Sequence, residues 1–225
     1  MDRVDAWQII KGLSKDEFEE KIKSQRLPED RQELLFRFIQ GEIQVSYVCK
    51  TDIEEYALKR LLPEYYESIP HNGHPCSSNE LYEYDPSKNG QNLIKHGIGF
   101  GEVVSYSRQF GTLQVPIPDE KDGQRYVIFS DLNLRREGDE LEMPALGIRE
   151  MNYTISITIL REGKFRFISS RLLSSKKKKY EETIAQVLGE IIPDAQARQG
   201  FVDRCVEILE RDLICVSTSS SSPTN

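Results

Sequence analysis

The 225-residue sequence predicts an α+β protein, a small antiparallel sheet with helices flanked by helical extensions. Three observations carry that expectation. Apolar residues recur at helical spacing through roughly the first seventy positions. Three segments rich in branched and aromatic residues follow, Arg125-Tyr-Val-Ile-Phe-Ser, Tyr153-Thr-Ile-Ser-Ile-Thr-Ile and Lys164-Phe-Arg-Phe-Ile-Ser. Glu162-Gly163 then joins the last two as a tight turn, which makes them a hairpin.

The elements follow in order. Ser14-Lys-Asp-Glu17 has the form of a capping box, and it opens a stretch with Phe18 and Ile22 four residues apart. Pro28 followed by acidic residues suits a helix start, with Leu34, Leu35, Phe38 and Ile39 as its apolar stripe. Thr51-Asp-Ile-Glu54 repeats the capping-box pattern before Ala57, Leu61 and Leu62, while 44–49 fits a short strand or a helix tail equally well. A shift to Pro, His, Asn, Gly and Ser marks a linker over 71–80, after an N-terminal helical extension over 1–70. Beyond it come a short strand around 81–84, a helix from Asp85-Pro86 to His96 closed by Gly97, and a second helix near Phe100. After the strands, helices are expected from about Ser175 and from Asp194 to Leu213, so that 183–215 is a C-terminal helical part. The Ser/Thr-rich 216–225 reads as a disordered tail.

Charge is divided unevenly. The net charge of −7 resolves into −5 over residues 1–80, +1 over 81–182 and −3 over 183–225. From Arg161 to Lys179 there are eight cations and only Glu162 as an anion. A local cationic field of this kind concentrates phosphate whatever the total charge. No apolar run reaches the roughly 20 residues of a membrane span, and Met1-Asp2-Arg3-Val4-Asp5 lacks the pattern of a signal peptide, so a cytoplasmic protein with no membrane contact is expected. Cys49, Cys76, Cys205 and Cys215 are too scattered for a disulfide framework and read as buried thiols. His71, His74 and Cys76 are too few for a metal site and read as linker. No metal or cofactor is expected.

Three segments in this order resemble the BrnT family of type II toxins, over 81–182. The first is Tyr82-Glu-Tyr-Asp-Pro-Ser-Lys88 with Asn92, Lys95-His96-Gly97 and Phe100-x-Glu102. The second is Gly123-Gln-Arg125-Tyr126. The third is Arg161-Glu-Gly-x-Phe-Arg166-Phe-Ile-Ser-Ser-Arg171, then Lys179-Tyr180-Glu181. The resemblance implies a RelE-like fold, an endoribonuclease activity and inhibition by a BrnA-type, ribbon-helix-helix antitoxin. Two departures stand out. Leu172 occupies the place of a second arginine, and 131–150 is an insertion between the first two long strands. The missing arginine bears on catalysis more than on fold.

Metal-free RNA cleavage needs a base for the 2′-hydroxyl proton, cations for the phosphorane and a donor for the leaving oxygen. Arg166 and Arg171, supported by Arg125, are the candidate catalytic cations, because guanidinium stays charged and binds phosphate bidentately. Arg161, Arg166 and Arg171 lie at five-residue intervals, so on a regular strand they alternate in facing unless a bulge or the turn re-aims one. His96 suits proton transfer or, at a helix end, a capping role. Lys88, Lys95, Arg161 and the run Lys176, Lys177, Lys178 and Lys179 are candidate RNA-backbone contacts, against a reading as solvated charge. Tyr180 is a candidate for base stacking or for the core. Two other possibilities belong beside the nuclease: a non-catalytic scaffold that docks partners through the basic hairpin and acidic flanks, and flanks that fold over the hairpin or serve as a homodimer interface.

Overall fold

A computed structural model describes residues 2–23, 27–69, 80–107, 109–118, 124–132 and 153–214. The expected linker with His71, His74 and Cys76, most of the 131–150 insertion, Gly123 and the tail lie outside the described residues. The architecture is α+β, and the chain divides into two compact units, one up to Phe100 and one from Gly101 onward among the described residues. Within those residues no helix is long and apolar enough to cross a membrane.

The first unit is helical: α1 (Arg3–Lys11), α2 (Lys15–Ile22), α3 (Glu29–Ile39), α4 (Tyr47–Leu61) and α5 (Pro63–Ser68), then the short strand β1 (Tyr82–Glu83) and α6 (Pro86–His96). The Ser14 box is present, with the hydroxyl accepting from Glu17 N–H and the Glu17 carboxylate accepting from Ser14 N–H. Thr51 does not cap a helix. Ser46 does, accepting from Cys49 N–H, so α4 starts at Tyr47 and Thr51 lies inside it, its hydroxyl donating to the Tyr47 carbonyl one turn back. Asp85 caps α6 through Lys88 N–H, and Gly97 ends it in the left-handed conformation. The stripes Phe18/Ile22, Leu35/Phe38/Ile39 and Ile53/Ala57/Leu61 meet Leu93 and Ile94 of α6 in one core. Helix α6 therefore packs with the N-terminal helices.

In the second unit, α7 (Phe100–Tyr106, entered from the last residue of the first unit) precedes β2 (Leu113–Pro116), β3 (Arg125–Asp131), β4 (Tyr153–Arg161) and β5 (Lys164–Leu173). Helices α8 (Lys177–Gly189) and α9 (Ala195–Leu209, capped by Asp194) follow, and a π-turn covers Glu210–Ile214. Strands β2 to β5 form antiparallel ladders in chain order. The sheet as a whole is mixed, which corrects the expectation of a wholly antiparallel one. Strand β2 was not expected, because its four residues end at Pro116 and carry little β signal. Val127, Phe129, Ile155, Ile157 and Leu173 on one face pack beneath Tyr180, Ile184, Leu188, Phe201, Cys205 and Leu209. Of the four cysteines, Cys49 and Cys205 are described, and both are buried free thiols.

Candidate polyanion-binding faces

The hairpin answers the facing question raised by the arginine spacing. Residues directly opposite across an antiparallel ladder share a face. Ile155 lies opposite Arg171, Ile157 opposite Ser169, and Ile159 opposite Arg166; the register shifts between Ile157 and Thr158. The shift leaves Ile168 without an opposite residue, a β-bulge that reverses the alternation once. Arg166 and Arg171 thus project from the same face although five residues separate them.

On β3 the same logic places Arg125 opposite Ile159. Arg125, Ile159 and Arg166 form one row across three strands, with the two arginines about 10 Å apart at the backbone. Arg161 and Lys164 pair in the next row, beside the turn in which Glu162 and Gly163 both have positive φ. Four cations therefore occupy the hairpin end of the face that α8 and α9 cover farther along. Arg125, Arg166 and Lys164 are half-buried and Arg161 is exposed. Lys164 was not among the expected site residues. The symmetric placement of Arg161 and Lys164 around Glu-Gly could have revealed it.

Arg171 belongs elsewhere. It stands two rows from Arg166, about 13 Å along the strand. Its guanidinium is buried and pairs with the Glu190 carboxylate at 2.7 Å, at the C-cap of α8. Position 172 faces the opposite side of the sheet from Arg125 and Arg166, so an arginine in place of Leu172 would not extend the cationic row.

The lysine run opens α8 with Lys176 at its N-cap, and all four side chains are exposed. Lys177 pairs with Glu210 at 2.6 Å and lies 3.8 Å from Glu181; the hydrogen bond to Glu210 holds its ammonium above the usual lysine range. Tyr180 is core, 3% exposed, and its hydroxyl donates to Glu210. Two acids of the C-terminal part, Glu190 and Glu210, thus engage two of the basic residues directly.

His96, Lys88 and Lys95 lie in the first unit. His96 is half-buried at the C-terminal end of α6. Lys88 and Lys95, seven residues apart, share a side of that helix. Helix α6 is held to α4 by a polar line: Asn89 donates to Asp52 at 2.7 Å and accepts from Phe100 N–H at 2.8 Å, while Lys59 donates to Ser87 at 3.1 Å. Burial pushes the Asp52 carboxyl up to about 6, against the Asn89 bond that lowers it, with Glu55 and Asp85 adding like charge. Because this value lies above the ordinary 3.8, the folded chain keeps a proton that the unfolded chain has released between about pH 4 and 6. Asp52 should therefore add stability as pH falls through 6 and remove it as pH rises. Melting curves at a series of pH values should show that slope weakened in Asp52→Asn; an identical slope would contradict it. Among the described residues no three His, Cys, Asp or Glu side chains gather as a metal-ligating group.

No family model, no curated protein and no solved structure matches this chain.

Proposed function

We propose that the chain is a BrnT-like, metal-independent endoribonuclease toxin whose second unit grips RNA through the row Arg125–Ile159–Arg166, flanked by Arg161 and Lys164. The observation that carries this reading is the register of the three strands, which sets both Arg125 and Arg166 opposite Ile159. Two guanidinium groups on one face can hold adjacent phosphate oxygens and stabilise the charge that develops when the 2′-hydroxyl attacks. The order of elements adds support. A strand at Tyr82-Glu83, a helix ending Lys-His-Gly, Arg125 opening a strand, an arginine-flanked hairpin and Tyr180-Glu181 on a helix follow the sequence resemblance segment by segment. The same resemblance implies a ribbon-helix-helix antitoxin as partner, in the cytoplasmic setting expected from a sequence with no membrane-span or signal-peptide pattern.

Incubation of the purified protein with labelled RNA in the presence of a chelator tests this. Arg166→Ala should reduce cleavage about a hundredfold, the scale for losing one donor to a developing oxyanion. Cleavage at the unmodified rate by Arg166→Ala would sink the proposed row. A second reading, a non-catalytic binding protein on the same fold, is favoured by one observation: Arg171 is committed to Glu190 rather than to the row. It predicts no cleavage from the wild type, and a complex that weakens when Arg125 or Arg166 is removed.

A further inference from the structure

The N-terminal helices contribute cations of their own, at a place where the sequence offered only Lys88 and Lys95. We propose that the first unit carries a second polyanion site, formed by Lys59 and Arg60 at the end of α4 and by Lys88 and Lys95 on α6, which takes the phosphate backbone of single-stranded RNA. The site lies in the first unit, and binding there does not depend on cleavage at the hairpin row.

The juxtaposition follows from how closely the two helices approach. A Cβ built on Gly90 would fall 2.0 Å from the Asp52 carbonyl oxygen, so α6 lies directly against the backbone of α4. That approach brings the end of α4 beside the start of α6, where the Lys59 ammonium reaches the hydroxyl of Ser87, the neighbour of Lys88. Lys59 also lies 5.3 Å from the centre of the Tyr66 ring, and Arg60 lies 5.8 Å from that of Tyr56. Both charged ends thus lie against aromatic rings.

Like charges gathered this way repel one another. The Lys88 ammonium is held below the usual lysine range by desolvation and then by the positive charges of Lys59, Arg60 and Lys95, with Asp85 alone opposing them. At Lys88 three neighbouring cations outweigh the single opposing carboxylate of Asp85, and an anion would relieve that repulsion. Lys88 and Lys95 stand about 10 Å apart along the helix, a spread that suits successive phosphates of a chain better than one free phosphate.

Fluorescence anisotropy with a short labelled RNA of mixed sequence, titrated by the full chain over a range of salt, tests the site. In the Lys88→Gln/Lys95→Gln variant, with wild-type circular dichroism, affinity should fall about tenfold. The slope of log affinity against log salt should shrink by about 1.4, because each phosphate of a single strand that is no longer neutralised removes about 0.7. Lys59→Gln should reduce the slope by about half as much. A wild type that binds no RNA, or double-variant curves that superimpose on wild type, would overturn the proposal. So would displacement of the RNA by polyglutamate of equal charge as readily as by unlabelled RNA, since that would assign the site to an acidic peptide. Loss of cleavage in Arg166→Ala with this binding intact would separate the hairpin reading from this one.

Discussion

Gly90→Ala is expected to destabilise the first unit by about 3 kcal/mol, the upper part of the range for overpacking a close approach. The added carbon would lie 2.0 Å from the Asp52 carbonyl oxygen, 2.5 Å from its carbon and 2.9 Å from the Ile53 Cα, all backbone atoms of α4. No side chain can swing aside to make room, so the helices must separate. Separation breaks the Asn89–Asp52 and Lys59–Ser87 hydrogen bonds and opens the core that Leu93 and Ile94 share with Ile53 and Leu61. Gly200→Ala is the internal control. Gly200 lies in α9 with open space around its Cβ position, and alanine there should stabilise by about 0.5–1 kcal/mol through helix propensity alone. Urea unfolding followed by circular dichroism reads both; equal effects from the two substitutions would contradict the close approach of α4 and α6.

The ion pair in the second unit should respond asymmetrically. Arg171 is 10% exposed at its side chain whereas Glu190 is 61% exposed, and the Arg171 Nε has no partner. Removing Glu190 leaves a buried guanidinium without its carboxylate, so Glu190→Ala should cost about 3 kcal/mol. Arg171→Met, which replaces the charge by an apolar chain of similar reach, should be near neutral, because the exposed Glu190 is rehydrated when it is abandoned. Thermal melts of the two variants decide the matter. If Arg171→Met proves the more damaging, the guanidinium does more than hold down α8. Any loss of RNA cleavage on substituting Arg171 must also be compared with its effect on the fold.

Much of the architecture was legible because its signals are local. The Ser14–Glu17 box, the Asp85 and Asp194 caps, Gly97 at a helix end and the Glu162-Gly163 turn each act within a few residues. The failures have physical reasons. Thr51-Asp-Ile-Glu54 carries a capping pattern inside a helix because Asp52 serves a distant partner, Asn89, and Thr51 bonds back to its own helix. Counting residues along a strand puts Arg166 and Arg171 on opposite sides, and nothing in Phe-Ile-Ser-Ser announces the bulge that puts them on one. Lys59 and Arg60 gain meaning only from α6, which begins more than twenty residues later. Long-range pairing adds Arg125 to a hairpin group that is otherwise local, and long-range packing assembles the whole of the first unit's group.

The unpaired Ile168 is a spare residue in β5, and the ladder on either side of it is already in register. Deleting it would close the bulge, with Phe167 still opposite Thr158 and Ser169 still opposite Ile157. Arg171 and Leu173 would keep their places in the layer beneath α8 and α9. A one-codon deletion at this point would therefore shorten the strand without turning any of its side chains over.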